Sequence, residues 1–138
     1  MPPLDIYHNQ VRNALVKDGW DITDDPYTIK TGKRDLFIDL AAQNLLAARK
    51  EGQLIAVEIK SFVSRSEVLD LENALGQFVL YHDLLLIQEP ERILYLAVTK
   101  TVFNGIFAEP IGQVLLENKR LRLIVFDPKT EEILEWIT

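Results

Sequence analysis

The chain contains no cysteine. That absence removes disulfides, thiolate zinc sites, iron–sulfur clusters and cysteine nucleophiles together, and leaves oxygen and imidazole as the ligands for any metal. Long apolar runs are missing too. No stretch reaches the roughly 18 residues of a membrane helix, and the opening MPPLDIYHNQ lacks the basic and apolar regions of a signal peptide. A soluble, cytoplasmic protein with no membrane segment is expected. Excess positive charge is likewise absent: 15 Lys and Arg against 21 Asp and Glu give a net charge of −6. This excludes a general nucleic-acid coat protein, which needs clustered cations on phosphate, but it does not exclude a DNA enzyme. Gly32-Lys33 lacks the spacing of a phosphate-binding P-loop, which argues against nucleotide hydrolysis. Ser64 and Ser66 have no evident His and Asp partners for serine hydrolysis. Tyr7, Tyr27, Tyr81 and Tyr95 lack the Arg/His cluster of a tyrosine recombinase.

What is present fits one compact domain over residues 1–138, with 48% hydrophobic residues and no linker, repeat or low-complexity segment. Cations gather locally at Lys30, Lys33 and Arg34, at Arg49 and Lys50, and at Lys119, Arg120 and Arg122, which read as solvated surface. Leu4, Tyr7, Val11, Ala14 and Leu15 share a helical stripe behind Pro2 and Pro3, predicting a helix from Leu4 to Lys17 that Gly19 stops. Turn residues at Asp24-Asp25-Pro26 and Thr31-Gly32 bound two expected strands, Tyr27 to Lys30 and Asp35 to Ala42. After a turn at RKEGQ comes a strand from Leu54 to Lys60. Ser64 followed by Glu67 matches a capping box. Behind it Val68, Leu71, Ala74, Leu75, Phe78, Tyr81 and Leu85 predict a long helix ending before Pro90. RILYLAVT, residues 92–99, reads as a buried central strand. A helix over Ile111 to Asn118, a strand over residues 121–127 and a returning strand in EEILEWIT complete the pattern. The expected fold is a mixed α/β domain around one sheet, with the long helix crossing between the third and fourth strands.

Two charges interrupt the strand IAVEIKSF. Ile55, Val57 and Ile59 alternate with Ala56, Glu58 and Lys60, so the carboxylate and the ammonium project from one face. The preceding strand carries another lone carboxylate: Phe37, Asp39 and Ala41 share a face opposite Leu36, Ile38 and Leu40. If the two strands are hairpin neighbours, Asp39 and Glu58 converge across the ladder, with Lys60 one repeat along. Two carboxylates together repel and are costly to desolvate, and a hard divalent cation such as Mg²⁺ or Mn²⁺ relieves both penalties. Metal-assisted phosphodiester hydrolysis uses this set, with Lys60 holding or deprotonating water or neutralising the phosphate. The bland alternative is a salt bridge of Glu58 and Lys60 with each other, or with Asp39 and Arg34, at a solvated strand end. Gln77, judged by residue pattern alone, is a polar residue on a half-apolar helix.

FIDLAAQNLLAARKEGQLIAVEIKSF resembles the core motif of the PD-(D/E)xK nuclease superfamily, with Asp39, Glu58 and Lys60 at its three positions. The resemblance implies a restriction-endonuclease-like core, αβββαβ, with a mixed central sheet flanked by helices, and metal held by Asp39 and Glu58. ALGQFVLY is similar to the Gln-containing helix of several branches, which adds Gln77 to the catalytic set and brings Tyr81 near it. Where many members carry a Glu on the first helix, this chain offers Asp5, His8, Asn9 and Gln10. His8 there is expected to be a packing or surface residue before a ligand. At closer range GWDITDDPYTI, IDLAA, IAVEIKSF, ALGQFVLY and RILYLAVT, in that order, resemble the XisH family, the fdxN element excision controlling factors of cyanobacteria. That resemblance implies a role in programmed DNA excision during heterocyst development, beside an XisI-like partner and a site-specific recombinase. Two functional expectations follow: a Mg-dependent endodeoxyribonuclease, working on DNA as a homodimer if both strands are cut, or a non-catalytic module with the same fold that regulates the recombinase by binding DNA or protein.

Overall fold

The computed structural model describes residues 4–44 and 52–138. Pro2, Pro3, the Arg49–Lys50 cations and most of the turn at RKEGQ lie outside them. The elements in chain order are α1 (His8–Lys17), β1 (Asp21–Asp24), β2 (Tyr27–Thr31), β3 (Arg34–Ile38), β4 (Leu40–Asn44), β5 (Gln53–Ile59), α2 (Glu67–Gln88) and β6 (Arg92–Thr99). Then come α3 (Lys100–Asn104), a 3₁₀ turn (Ile106–Ala108), α4 (Pro110–Glu117), β7 (Leu123–Asp127) and β8 (Glu132–Ile137). Among the described residues they form an α/β protein with a mixed six-stranded sheet, ordered β1-β4-β5-β6-β7-β8, and a separate two-stranded sheet of β2 and β3.

As the long crossover helix requires, β5 and β6 run parallel, and β6 and β7 do so as well. The remaining pairs are antiparallel. Alternation along the central strands divides the core in two. Ala56, Leu94, Leu96 and Val98 face Leu71, Ala74, Phe78 and Leu85 of α2, together with Tyr27, Ile29 and Ile38 of the β2–β3 hairpin. Ile55, Val57, Ile59, Tyr95, Ala97 and Phe126 face Val11 and Leu15 of α1, with Trp20 beside them. Each such large side chain removed from water contributes about 1.5–3 kcal/mol, so the buried strand RILYLAVT anchors both layers. Arg92 is the exception on β6. Buried, it donates from Nε to Glu89 Oε1 at 2.6 Å and from Nη1 to the Ile55 carbonyl at 2.9 Å, with its guanidinium 4.8 Å from the centre of the Tyr27 ring. These partners offset its desolvation and tie the hairpin to the main sheet.

Four expectations need correction. The strands do not share one sheet: β2 and β3 pair only with each other, and the edge of the large sheet is taken by β1, which was not expected. The strand expected over Asp35 to Ala42 is two strands broken at Asp39, because the chain there leaves the small sheet for the large one. Alternation flips across the break: Ile38 and Leu40, expected on one face, lie in different core layers. The first helix starts at His8 rather than Leu4, because Asp5 closes a turn ahead of it, accepting from Tyr7 N at 2.9 Å through Oδ1 and from His8 N at 3.0 Å through its carbonyl. Leu4 is therefore exposed. The N-cap of α2 is Ser66, which accepts from Leu69 N at 3.1 Å, while Ser64 donates its hydroxyl to Asp70 Oδ1 at 2.7 Å and holds the preceding turn.

Two glycines separate propensity from packing. A Cβ at Gly112 in α4 would lie 2.5 Å from the Phe107 Cα and closer still to the Ile106 carbonyl, whereas one at Gly76 in α2 would meet nothing within 4 Å. Gly112→Ala is expected to destabilise by about 1–3 kcal/mol despite alanine's better helix propensity. Gly76→Ala is expected to stabilise by about 0.5–1 kcal/mol. Urea unfolding of both variants checks the opposite signs.

Candidate functional site

The register of β4 with β5, Leu40 opposite Val57, extends by one step to bring Asp39 to Glu58. At this step the ladder is replaced by side-chain bonds. Ile59 N donates to Asp39 Oδ2 at 2.7 Å, and Asp39 N donates to Glu58 Oε1 at 3.4 Å. The bend at Asp39 thus aims its carboxylate at the carboxyl end of β5, where parallel sheets commonly place their ligands. Lys60 follows at once, with its backbone N bonded to the Ala97 carbonyl at 3.2 Å. Among the described residues Lys60 forms no ion pair, although its charge acts on Glu58 through space.

These groups line a cavity of about 470 Å³, whose walls also include Asp5, Leu36, Phe37, Gln77 and Tyr81. The structure therefore brings all four expected residues, Asp39, Glu58, Lys60 and Gln77, to one place. Gln77 lies at the edge of the buried stripe of α2 with a buried Oε1 that has no hydrogen-bond partner. Such an acceptor is costly unless a donor or cation meets it. Tyr81 sits one turn on. Burial raises its pKa, and the charges of Glu58 and Asp39 raise it further.

Glu58 carries the strongest perturbation. It is only 7% exposed. Burial first, then the charge of Asp39 and a hydrogen bond to it, push its pKa up to about 9, against the opposing pull of Lys60 and the Asp39 amide. In the absence of a cation the pair therefore keeps a proton near neutral pH. Asp39 and Glu58 are the residues that would hold a hard divalent cation here, whose charge would relieve their mutual repulsion. Among the described residues no group of three or more His, Cys, Asp and Glu is arranged to hold a metal ion. The remaining positions would fall to water and substrate oxygens, as Mg²⁺ commonly accepts.

Other candidates divide cleanly. His8 is buried, bonded through Nε2 to Asp25 Oδ1 at 2.7 Å and with its Nδ1 unpartnered, and it does not line the cavity. Asp5 enters the cavity instead, fixed by Ser61 N donating to its Oδ2 at 3.1 Å. Of Asp5, His8, Asn9 and Gln10, the residues the first helical segment offered, Asp5 is thus the one that lines the cavity, and it does so from the turn ahead of α1. The cations Lys30, Lys33 and Arg34 are exposed on the hairpin whose Asp35, Leu36 and Phe37 rim the cavity. Lys119, Arg120 and Arg122 precede β7, whose first residue, Leu123, is level with Leu96 and so with Glu58, two strands away.

A family model described as XisH protein matches residues 1–134. Two crystal structures are similar over nearly the whole chain. An XisH family protein from Nostoc punctiforme is 38% identical with a TM-score of 0.87, covering 97% of this chain and 100% of that one. An fdxN element excision controlling factor protein from Anabaena variabilis is 39% identical with a TM-score of 0.85, covering 98% and 100%. No curated protein matches the chain.

The raised pKa of Glu58 has a definite sign in stability. Below the ordinary carboxyl range the group is protonated in both folded and unfolded chains. From there up to about 9 only the folded chain holds the proton, so folding weakens as pH rises through this window and levels off above it. Glu58→Gln is expected to flatten that slope, its Tm overtaking the wild type progressively from pH 5 to 9. Added Mg²⁺ or Mn²⁺ is expected to raise the wild-type Tm at high pH and leave Glu58→Gln unmoved. Parallel melting curves for the two proteins would remove the electrostatic reading.

Proposed function

This chain belongs to the XisH family, and from that membership we propose that it is an fdxN element excision controlling factor acting on DNA through a metal-dependent endonuclease site. The observation that carries the reading is the buried Glu58, paired with Asp39 at the carboxyl end of β5 beside a Lys60 that makes no ion pair among the described residues. The spacing Asp39, Glu58-Ile59-Lys60 and the parallel crossover through α2 support a restriction-endonuclease-like core of the PD-(D/E)xK type.

In this reading Asp39 and Glu58 hold the cation, which polarises the scissile phosphodiester and offsets its charge when bound. Lys60 projects its ammonium to the reacting phosphate, where it holds the attacking water or neutralises the developing negative charge. Gln77 orients water through its unpartnered oxygen. The β2–β3 hairpin, with Lys30, Lys33 and Arg34 exposed, gives the DNA backbone a cationic contact next to the cavity. An XisI-like partner and a site-specific recombinase complete the proposed setting.

A second reading keeps the fold and drops the chemistry: a regulatory module that binds DNA or protein. The site's two-carboxylate set and the net charge of −6 favour it.

Cleavage separates the two. Supercoiled DNA with Mg²⁺ or Mn²⁺ is expected to be nicked by the purified protein, alone or with its partner. Lys60→Ala and Glu58→Gln are expected to slow this by about 100-fold or more while circular dichroism stays native. No cleavage under any of these conditions, together with no cation-dependent rise in Tm, would establish the regulatory module.

A further inference from the structure

The outward face of α2 is unlike the rest of the surface. Val68, Leu69, Val79, Leu80, Leu86 and Ile87 are all exposed there, Ile87 by 84%. At about 100° per residue they fall into two rows, Val68, Val79 and Leu86 on one side and Leu69, Leu80 and Ile87 on the other. Between the rows run Glu72, Gly76 and Asp83. Scattered exposed apolar residues need no explanation, but these are grouped on one helix face, Val68 and Leu69 in its first turn and Val79, Leu80, Leu86 and Ile87 over its second half, and such a grouping marks an interaction surface.

The charges on this helix choose the occupant. α2 carries Glu67, Asp70, Glu72 and Asp83 and no Lys or Arg. Of these, Glu72 and Asp83 lie on the outward face, which thus offers no cation to DNA or an anionic membrane. A second copy packed antiparallel about the helix midpoint would set Glu72 against Asp83 and Asp83 against Glu72, like charges directly opposed. A cationic apolar helix meets both features instead. Gly76, where a Cβ would have no neighbour within 4 Å, leaves room at the centre of the face for a backbone to approach.

We propose that the outward face of α2 docks an amphipathic helix of a protein partner, one whose apolar stripe carries Lys or Arg along its middle. Leu, Ile or Val side chains of that helix seat on the two rows, and its cations meet Glu72 and Asp83. The surface is separate from the Asp39–Glu58 cavity and stands whether or not that site cleaves DNA.

The test uses the whole chain and a designed Leu/Lys amphipathic helix of about the length of α2, with a Leu/Glu helix as control, measured by fluorescence anisotropy. The Leu/Lys helix is expected to bind. The affinity is expected to fall about tenfold or more in Leu80→Asp and in the double variant Glu72→Lys, Asp83→Lys. It is expected to hold in Asp21→Lys, Glu132→Lys, a double reversal of exposed acids on β1 and β8. Circular dichroism melting confirms folding, and should Leu80→Asp unfold, the charge reversal on α2 decides the matter alone. The proposal is overturned by no binding of the Leu/Lys helix, by equal loss in the β1/β8 control, or by equal binding of the Leu/Glu helix. It is also overturned by a wild-type dimer in sedimentation velocity that Leu80→Asp makes monomeric, which would name a second copy as the occupant.

Discussion

The bond from Ile59 N to the Asp39 carboxylate, 2.7 Å long, is the contact on which the arrangement of this molecule turns. It ends the β4–β5 ladder, because a side chain takes the amide that a backbone carbonyl would otherwise accept. It also fixes the bend by which the chain passes from the two-stranded sheet to the six-stranded one. The same carboxylate stands beside Glu58, so the structural break and the charged pair are one feature. Two acidic groups at a buried strand end weaken folding as pH rises. Glutamine at position 58 would fill the same space without that penalty. A fold that keeps this pair at its sheet end gains nothing in stability from it, which is the physical ground for the proposal that a cation is held there.

Much of this was legible in the sequence wherever one periodicity governs one element. β5, β6 and α2 follow from uninterrupted alternation or helical stripes, and the parallel crossover follows from their order. The convergence of Asp39 with Glu58 was legible too, since it needs only that neighbouring strands pair. The reading failed where local side-chain bonds override periodicity. Asp39 splits a strand whose alternation looks continuous, because its own carboxylate replaces a ladder bond. Asp5 trims the first helix by closing a turn ahead of it. Ser66 takes the cap that Ser64 and Glu67 suggested, since Ser64 is engaged by Asp70. Gln77 shows the limit differently. Its spacing in the helix is visible, but that its oxygen is buried without a partner depends on what the sheet presents opposite it.

The helix α2 serves both parts of the molecule. Its inner face, Leu71, Ala74, Phe78 and Leu85, covers the sheet and so holds β5 and β6 in the register that sets the site. Its edge carries Gln77 and Tyr81 into the cavity. Its outer face, apolar and acidic, contributes nothing to either. A 22-residue helix needs its buried stripe for stability, not an exposed one.

These surfaces also bear on how so acidic a chain would meet DNA under the proposed function. At a net charge of −6 the protein repels a duplex at long range. Beside the cavity, Lys30, Lys33 and Arg34 reverse the sign only locally, on a single hairpin. Three cations contribute a small counterion-release term, too little for firm binding at physiological salt. A cationic helix seated on α2 would cancel Glu72 and Asp83 and lower the repulsion over one whole side of the molecule. Under the proposed function, a cationic helix seated along the covering helix would therefore strengthen the contact that the hairpin cations begin at the end of the sheet, where Lys60 would meet the phosphate.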